Sequence, residues 1–396
     1  MADKGKPKCA SSILLGVVGC LALCLVIAIV GVVFLWAQLT RPETKTAGPV
    51  PQPAVAITSQ TIDKVRELYR IPQPGYVSDV VWSPDGLILA SAMYGTGSVP
   101  GSVELWDAVS GRKLHSFDQI RIYRLDFSPD GKFLAGAGES GLIVWNMADK
   151  RELINKPIGY LGGRSVAFSP DSRILAYEFG ETVNLLEMPV ARELNPLQHA
   201  SDVKGFAFLP DGQSLITVIV SGQNDDGPFR VYEVTFTVWD IDSGSAERTF
   251  TQLGSIDELV VAPEGKSLAA GISSDMLKIW DMESGREIQS FAGFRFGVPR
   301  FAFSPDGSVL GVGEGVGFEV ASPSGLRLLD VASGGEVSML EGHKGVIITV
   351  AFSPNGRLLA TASEDKTVRL WGVPLDINDS DTGGMVADAQ RLAALR

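Results

Sequence analysis

One turn phrase recurs seven times in the 396 residues: VWSPDG (81–86), DFSPDG (126–131), AFSPDS (167–172), AFLPDG (207–212), VVAPEG (260–265), AFSPDG (302–307) and AFSPNG (351–356). Its prolines stand 40 to 53 residues apart. A repeat of that length with strand-like flanks leaves few folds open. Each unit is a small antiparallel sheet that cannot bury its faces alone, so the copies must stack as a solenoid or close as a propeller. The phrase itself builds a hairpin. Proline presets φ at the first corner, Asp or Asn hydrogen-bonds its own backbone, and glycine accepts the positive φ that follows. Two residues before each proline stands a bulky apolar side chain (Trp82, Phe127, Phe168, Phe208, Val261, Phe303, Phe352), suited to contact between neighbouring sheets.

A second landmark closes each unit: VELWD, LIVWN, VNLLE, FTVWD, LKIWD, LRLLD and VRLWG. Trp106, Trp145, Trp239, Trp280 and Trp371 fill its key position, with Leu186 and Leu329 in the other two units. This double pattern resembles the WD40 repeat family over about residues 62–373. The resemblance implies an all-β, seven-bladed WD40-like β-propeller of four-stranded blades that serves as a binding platform. It also implies a structural tetrad of His, Ser or Thr, Asp and Trp, which fits the last unit as His343, Ser363 (or Thr361), Asp365 and Trp371. Elsewhere the pattern departs from the family. His199 stands at the His343 offset, but Gln73, Asp118, Gly159, Gln252 and Phe294 replace it in the other units, and Glu139 takes the Asp position in the second. Most blades must therefore rely on apolar contact between sheets.

Short outer strands follow the closing landmark at 112–117, 151–154, 192–197, 247–250, 286–291 and 336–340, six for seven units. The missing one is RELYRI (66–71), which carries the same Arg-Glu-Leu opening but precedes the first unit. It is expected to pair with 367–371, joining the two ends of the domain and removing the open edges of the ring.

Ahead of the repeats, a short basic tail (1–12) leads into residues 13–37, which are 25 uncharged residues. At ~1.5 Å per residue these cross a ~30 Å hydrocarbon core, so 13–38 reads as one transmembrane helix. A cleaved signal peptide, a lipoprotein box ending at Cys20 and a buried core helix are the competing readings. Lys4, Lys6 and Lys8 before the span against Arg41 and Lys45 after it favour a cytoplasmic N-terminus and an exported propeller. Gly16, Cys20, Cys24 and Ala28 recur every fourth residue and offer a small-residue face for self-association. Residues 39–61 read as a proline-rich linker, and 374–396 as an acidic linker with a short amphipathic C-terminal segment.

The chain carries a net charge of -12, of which residues 1–45 contribute +3. The remaining acidic surface disfavours nucleic acid and slightly favours a basic partner. Its three cysteines all lie in the first 24 residues, so the repeats hold no disulfide or cysteine–zinc site. Neither HExxH nor Gly-x-Ser-x-Gly occurs, GVGEGVG (311–317) fails the GxGxxG spacing, and DINDSD and NDDG lack the downstream glutamate of a calcium loop. No catalytic residue, metal or cofactor is expected. The informative feature is instead three enlarged turns between second and third strands, at about 94–101, 221–232 and 314–325. Tyr94, Asp225, Asp226, Phe229, Arg230, Tyr232, Glu314 and Phe318 are the candidate partner-binding residues on that face. The leading functional reading is a membrane-tethered, non-catalytic scaffold for a protein or peptide. A metal-dependent hydrolase sited in the central channel and a structural component of an envelope assembly are the alternatives.

Overall fold

The computed structural model describes residues 53, 55–95, 100–158, 165–224, 231–254, 256–272, 276–294, 300–314 and 325–374. Seven antiparallel sheets follow one another, one per repeat. Their innermost strands are Tyr76–Trp82, Arg124–Phe127, Val166–Phe168, Val203–Phe208, Ile256–Val261, Arg300–Phe303 and Ile347–Phe352, and they define blades 1 to 7. Each inner strand neighbours the next, and the last neighbours the first, so the sheets close into a ring.

The turn phrase works locally as expected, with one addition. In blade 1 the Ser83 hydroxyl donates to Asp85 Oδ1 (2.5 Å) and accepts from the Ile88 N–H (2.8 Å), so serine as well as aspartate pins the hairpin. Ser128, Ser169, Ser304 and Ser353 repeat this. Gly86 has φ +70°, and a Cβ there would meet Pro354 of the last turn at 3.8 Å. First and last turns thus adjoin on one rim of the ring.

Seven apolar clusters hold the ring, one in each seam between blades. Trp82 and Trp106 of blade 1 share a cluster with Leu358, Ala360 and Leu370 of blade 7. The residue before each proline turn enters these seams as expected, with Trp82, Phe127, Phe168 and Phe303 all buried.

Ring closure follows the sequence expectation. Strand Arg66–Pro72 pairs antiparallel with Thr367–Gly372, with Glu67 opposite Trp371 and Ile71 opposite Val368. Blade 7 therefore takes its outer strand from the start of the repeat region. Two details differ from the sequence reading. The linker assigned to 39–61 is docked at its C-terminal end: Ile57, with Ile62 and Val65 beyond it, is fully buried in the seam of blades 6 and 7, and the Ile57 N–H donates to Gly356 O (2.8 Å). The outer strand read at 192–197 is split into Arg192–Glu193 and Leu197–Gln198, because Pro196 has no N–H to give the ladder.

Among the described residues no helix is long and apolar enough to cross a membrane. The segment 13–38, with Gly16, Cys20, Cys24 and Ala28, lies outside the described residues, as does 375–396.

Candidate functional site

The propeller offers two places for function, its axis and the face bearing the enlarged turns. The axis is set by the residue five before each proline: Asp79, Arg124, Ser165, Gly205, Glu258, Arg300 and Thr349 in blades 1 to 7. In blades 1, 4 and 7 a β-bulge falls immediately before this position, and in blades 1 and 7 it re-aims the side chains of Asp79 and Thr349. Five of the seven line one central cavity. Arg124 of blade 2 reaches across to Glu258 of blade 5, with Nη2 3.0 Å from Oε2, and Arg300 of blade 6 pairs with the same carboxylate. Asp79 accepts from the Leu125 N–H of blade 2 (2.8 Å) and from Thr349 Oγ1 of blade 7 (3.0 Å), and stands 3.8 Å from Arg124 Nη1. Burial pushes the Asp79 carboxyl up, against the pull of Arg124 and these donors. Burial likewise lowers Arg124, opposed by Asp79 and Glu178.

This layer bears on the channel-enzyme reading. Arg124 and Arg300 occupy the space in which Glu258 would hold a metal or a nucleophilic water. Among the described residues no three His, Cys, Asp or Glu side chains converge on a common metal position.

The opposite end of the strands carries the enlarged turns. Backbone bonds tie links between blades to a neighbouring second-to-third-strand hairpin, as in Tyr123 N–H to Ala137 O and Gln73 N–H to Lys366 O. Both kinds of loop therefore share a face. Tyr94 ends the second strand of blade 1 (Ile88–Tyr94) and stacks on Tyr123 at 5.7 Å between ring centroids. Both hydroxyls donate to Glu139 Oε1 (3.0 and 2.7 Å), and Arg121 pairs with Oε2 (2.9 Å). Hydrogen bonds from Tyr123 and Arg121 hold the Glu139 carboxyl below its ordinary value. Burial, then the Glu139 bond, pushes the Tyr123 phenol up.

The insertion in blade 4 is a hairpin extension rather than an irregular loop. Its strands Ser214–Asn224 and Val231–Asp240 run 11 and 10 residues, against 6 in the corresponding strands of blade 7. About five extra residues at ~3.3 Å each project the tip by roughly 16 Å. Tyr232 lies in this extension opposite Gln223 and is half-buried. In sequence Asp225, Asp226, Phe229 and Arg230 fall between these two strands, and Phe318 in the blade 6 insertion; all five lie outside the described residues. Glu314 is placed differently from the sequence reading. It is buried, and its carboxylate is 2.6 Å from Arg327 Nε, so it anchors the base of its loop instead of facing a partner.

Blade 7 contains a complete polar network under the same face. His343 Nδ1 lies 2.9 Å from Asp365 Oδ2, His343 Nε2 lies 2.7 Å from Thr361 Oγ1, and Trp371 Nε1 donates to that oxygen at 2.8 Å. The hydroxyl is that of Thr361, not Ser363. Both face the same side of the strand, but Trp371 stands opposite Leu359, so its indole reaches position 361 and falls short of 363. Ser363 instead donates to Gly345 O and accepts from the Asp365 N–H. Burial favours a neutral Asp365, but hydrogen bonds from His343, Thr367 and the Lys344 N–H outweigh it and hold the carboxyl far down. Burial also lowers His343.

A family model described as "WD domain, G-beta repeat" matches residues 334–372, the stretch that contains this network. The chain is a WD40-repeat β-propeller. It is 24% identical over 222 residues to the serine-threonine kinase receptor-associated protein of Gallus gallus, covering 55% of this chain and 59% of that one. It is 24% identical over 277 residues to the guanine nucleotide-binding protein subunit beta of Saccharomyces cerevisiae, covering 66% and 62%. Over 77 residues it is 42% identical to small ribosomal subunit protein RACK1z of Arabidopsis thaliana, covering 19% and 22%. The chain thus spans about three-fifths of the length of the first of these relatives. A model described as eukaryotic translation initiation factor eIF2A also matches residues 34–146.

Within this WD40 propeller the network decays in an ordered way. Two residues beyond the partner of each Trp or Leu stand Ser91, Gly136, Tyr177, Thr217, Ala270, Val312 and Thr361. A small hydroxyl survives only where Gln73, His199 or His343 precedes it. Trp106 donates to Ser91, and Trp239 to Thr217, which also bonds His199 Nε2 (2.9 Å). In blade 2, Gly136 leaves the buried Trp145 Nε1 without a partner among the described residues, and the indole stacks on Phe117 at 4.6 Å. The assignment of Thr361 has a direct test. Thr361→Val strands two buried groups and is expected to destabilise the protein by about 2–4 kcal/mol. Ser363→Ala should cost about 1 kcal/mol. Thermal denaturation of the two variants checks the order, and a larger loss in Ser363→Ala would reverse the assignment.

Proposed function

We infer that this WD40 propeller is a membrane-tethered, non-catalytic scaffold that presents its long-turn face to a protein or peptide partner. The observation that carries this is the blade 4 extension, a paired hairpin standing proud of a closed and rigid ring. A side chain on such a support loses little conformational entropy on binding, which favours recognition there. Phe229, Arg230 and Tyr232, with Asp225 and Asp226, give the hairpin the aromatic and charged types that dominate interface energetics. Tyr94 and Phe318 add aromatic side chains in the enlarged turns of blades 1 and 6. The relatives support the same reading, since their names describe a receptor-associated protein, a subunit and a ribosomal subunit protein, each a part of a larger assembly. The uncharged segment 13–37 supplies the tether, with the propeller on the exported side, and its face of Gly16, Cys20, Cys24 and Ala28 allows two tethers to associate.

The test replaces 225–230 by a Gly-Ser segment of equal length in the full chain. Proximity labelling from the propeller in intact cells is expected to lose its main labelled protein, while Tm moves by less than about 2 °C. The same labelled protein at undiminished yield would sink the assignment of the face. External protease that leaves the propeller intact in whole cells would sink the exported orientation.

A further inference from the structure

The central cavity has a second property, separate from the long-turn face. From the charge layer it runs to the proline turns at Pro263 and Pro305, and its volume is about 480 Å³. That is within the range of small-ligand sites. Five of the residues that stand three before a proline line it, namely Val81, Asp126, Val260, Ala302 and Ala351. Four are apolar, and one is an acid. Leu125 and Phe127 on either side of Asp126 are buried in the seam of blades 1 and 2, so strand alternation turns Asp126 to the blade 3 side, where it lines the cavity. Asp126 Oδ2 accepts from the Phe168 N–H of blade 3 at 2.6 Å.

The two other acids lining the cavity both have a guanidinium nearby, Glu258 at 3.0 Å and Asp79 at 3.8 Å from Arg124. Among the described residues no cation pairs with Asp126. A lone carboxylate in an apolar sleeve is costly to ionise. Burial accordingly pushes Asp126 up to about 7, despite the backbone donors of Phe168 and Phe127. What would relieve this cost is a cation with an apolar stem. One oxygen is already held by the Phe168 N–H, so the carboxylate suits the point charge of an ammonium better than the two-pronged guanidinium.

The geometry points to a funnel, closed on one side by the Arg124–Glu258 crossbar, that receives a lysine side chain from a protein segment lying across the proline-turn face, with Asp126 as its counter-ion. The lysine stem would lie against Val81, Val260, Ala302 and Ala351. The propeller would then have two binding faces, this one reading a buried lysine and the other carrying the long turns.

The experiment titrates the full-length chain calorimetrically with a blocked Ala-Ala-Lys-Ala-Ala peptide, the same peptide with Nε-acetyl-lysine, and n-pentylammonium. The lysine peptide is expected to bind at least tenfold tighter than the acetylated one. Asp126→Asn should lose about that factor, and Ala302→Leu, which fills the sleeve, should abolish binding. Binding of n-pentylammonium as tight as that of the lysine peptide would overturn a partner segment as the source and assign the funnel to a free amine. Absence of binding by either ammonium probe, or equal affinity for the acetylated and free lysine peptides, would overturn the funnel itself.

Discussion

A chain lacking residues 55–72 is expected to lose its cooperative thermal transition, or to melt at least about 15 °C below the full-length protein. The deletion removes the outer strand of blade 7 and leaves Thr367–Gly372 as an open edge. It also empties the seam of blades 6 and 7 and the edge of the next. Ile57, Ile62, Val65 and Ile71 are at most 3% exposed, and each such side chain contributes about 1.5–3 kcal/mol when buried. Together that is roughly 6–12 kcal/mol, the scale of the whole net stability of a domain, about 5–15 kcal/mol. A polar consequence adds to this. Arg369 is 2% exposed and is held by Glu67, the Gly342 carbonyl and, at 3.7 Å, Asp365. Without Glu67 a buried guanidinium loses its main counter-ion. Differential scanning calorimetry of the two chains decides the matter, and an unchanged melt would mean that the ring is held shut elsewhere. Closure by a strand from the opposite end of the domain means that residues 55–72 both lead into the ring and lock it.

The strand that closes the ring was legible because its signature is local. Arg-Glu-Leu at 66–68 matches the openings at 151–153 and 192–194, and strand alternation then fixes which side faces the seam. The proline turns were legible for the same reason, since each is decided within six residues. What stayed hidden depends on register or on closure. Thr361 and Ser363 are two apart on one face with similar chemistry, and only the pairing of Leu359 with Trp371 tells them apart. Glu314 sits inside a glycine-rich stretch that reads as loop, yet a half-buried partner 13 positions later, Arg327, draws it inward. The axial layer is the extreme case. Asp79, Arg124, Glu258, Arg300 and Thr349 are of four residue types, so no repeat pattern marks them. Arg124 and Glu258 are 134 residues apart and meet only because seven blades bring blades 2 and 5 to opposite sides of one axis. Aligning the seven units on their prolines and reading down the column five residues earlier would have exposed the alternation of charge.

That layer supports the second large effect. Arg124→Ala is expected to destabilise the propeller by about 3–5 kcal/mol at pH 8, the cost of leaving buried carboxylates without their cation. Asp79 would keep its two neutral donors, Leu125 and Thr349, but no guanidinium, and Glu258 would keep only Arg300. A neutral replacement of both partners should behave differently. Asp79→Asn with Arg124→Met retains an acceptor for Leu125 and Thr349 and strands no charge, so the double variant is expected to be more stable than Arg124→Ala alone. The pH dependence gives an independent sign. Burial already raises the folded-state pKa of Asp79 above its ordinary 3.8, and removing Arg124 takes away the main opposing influence. A raised carboxyl binds a proton in the folded state that the unfolded chain has released, so stability falls as pH rises through that window. The deficit of Arg124→Ala relative to the parent should therefore shrink when the melts are repeated at pH 5, where the stranded carboxyl takes up a proton. A deficit that is constant or larger at pH 5 would mean that Arg124 acts through its apolar stem and not its charge, and the axial layer would then be a matter of shape.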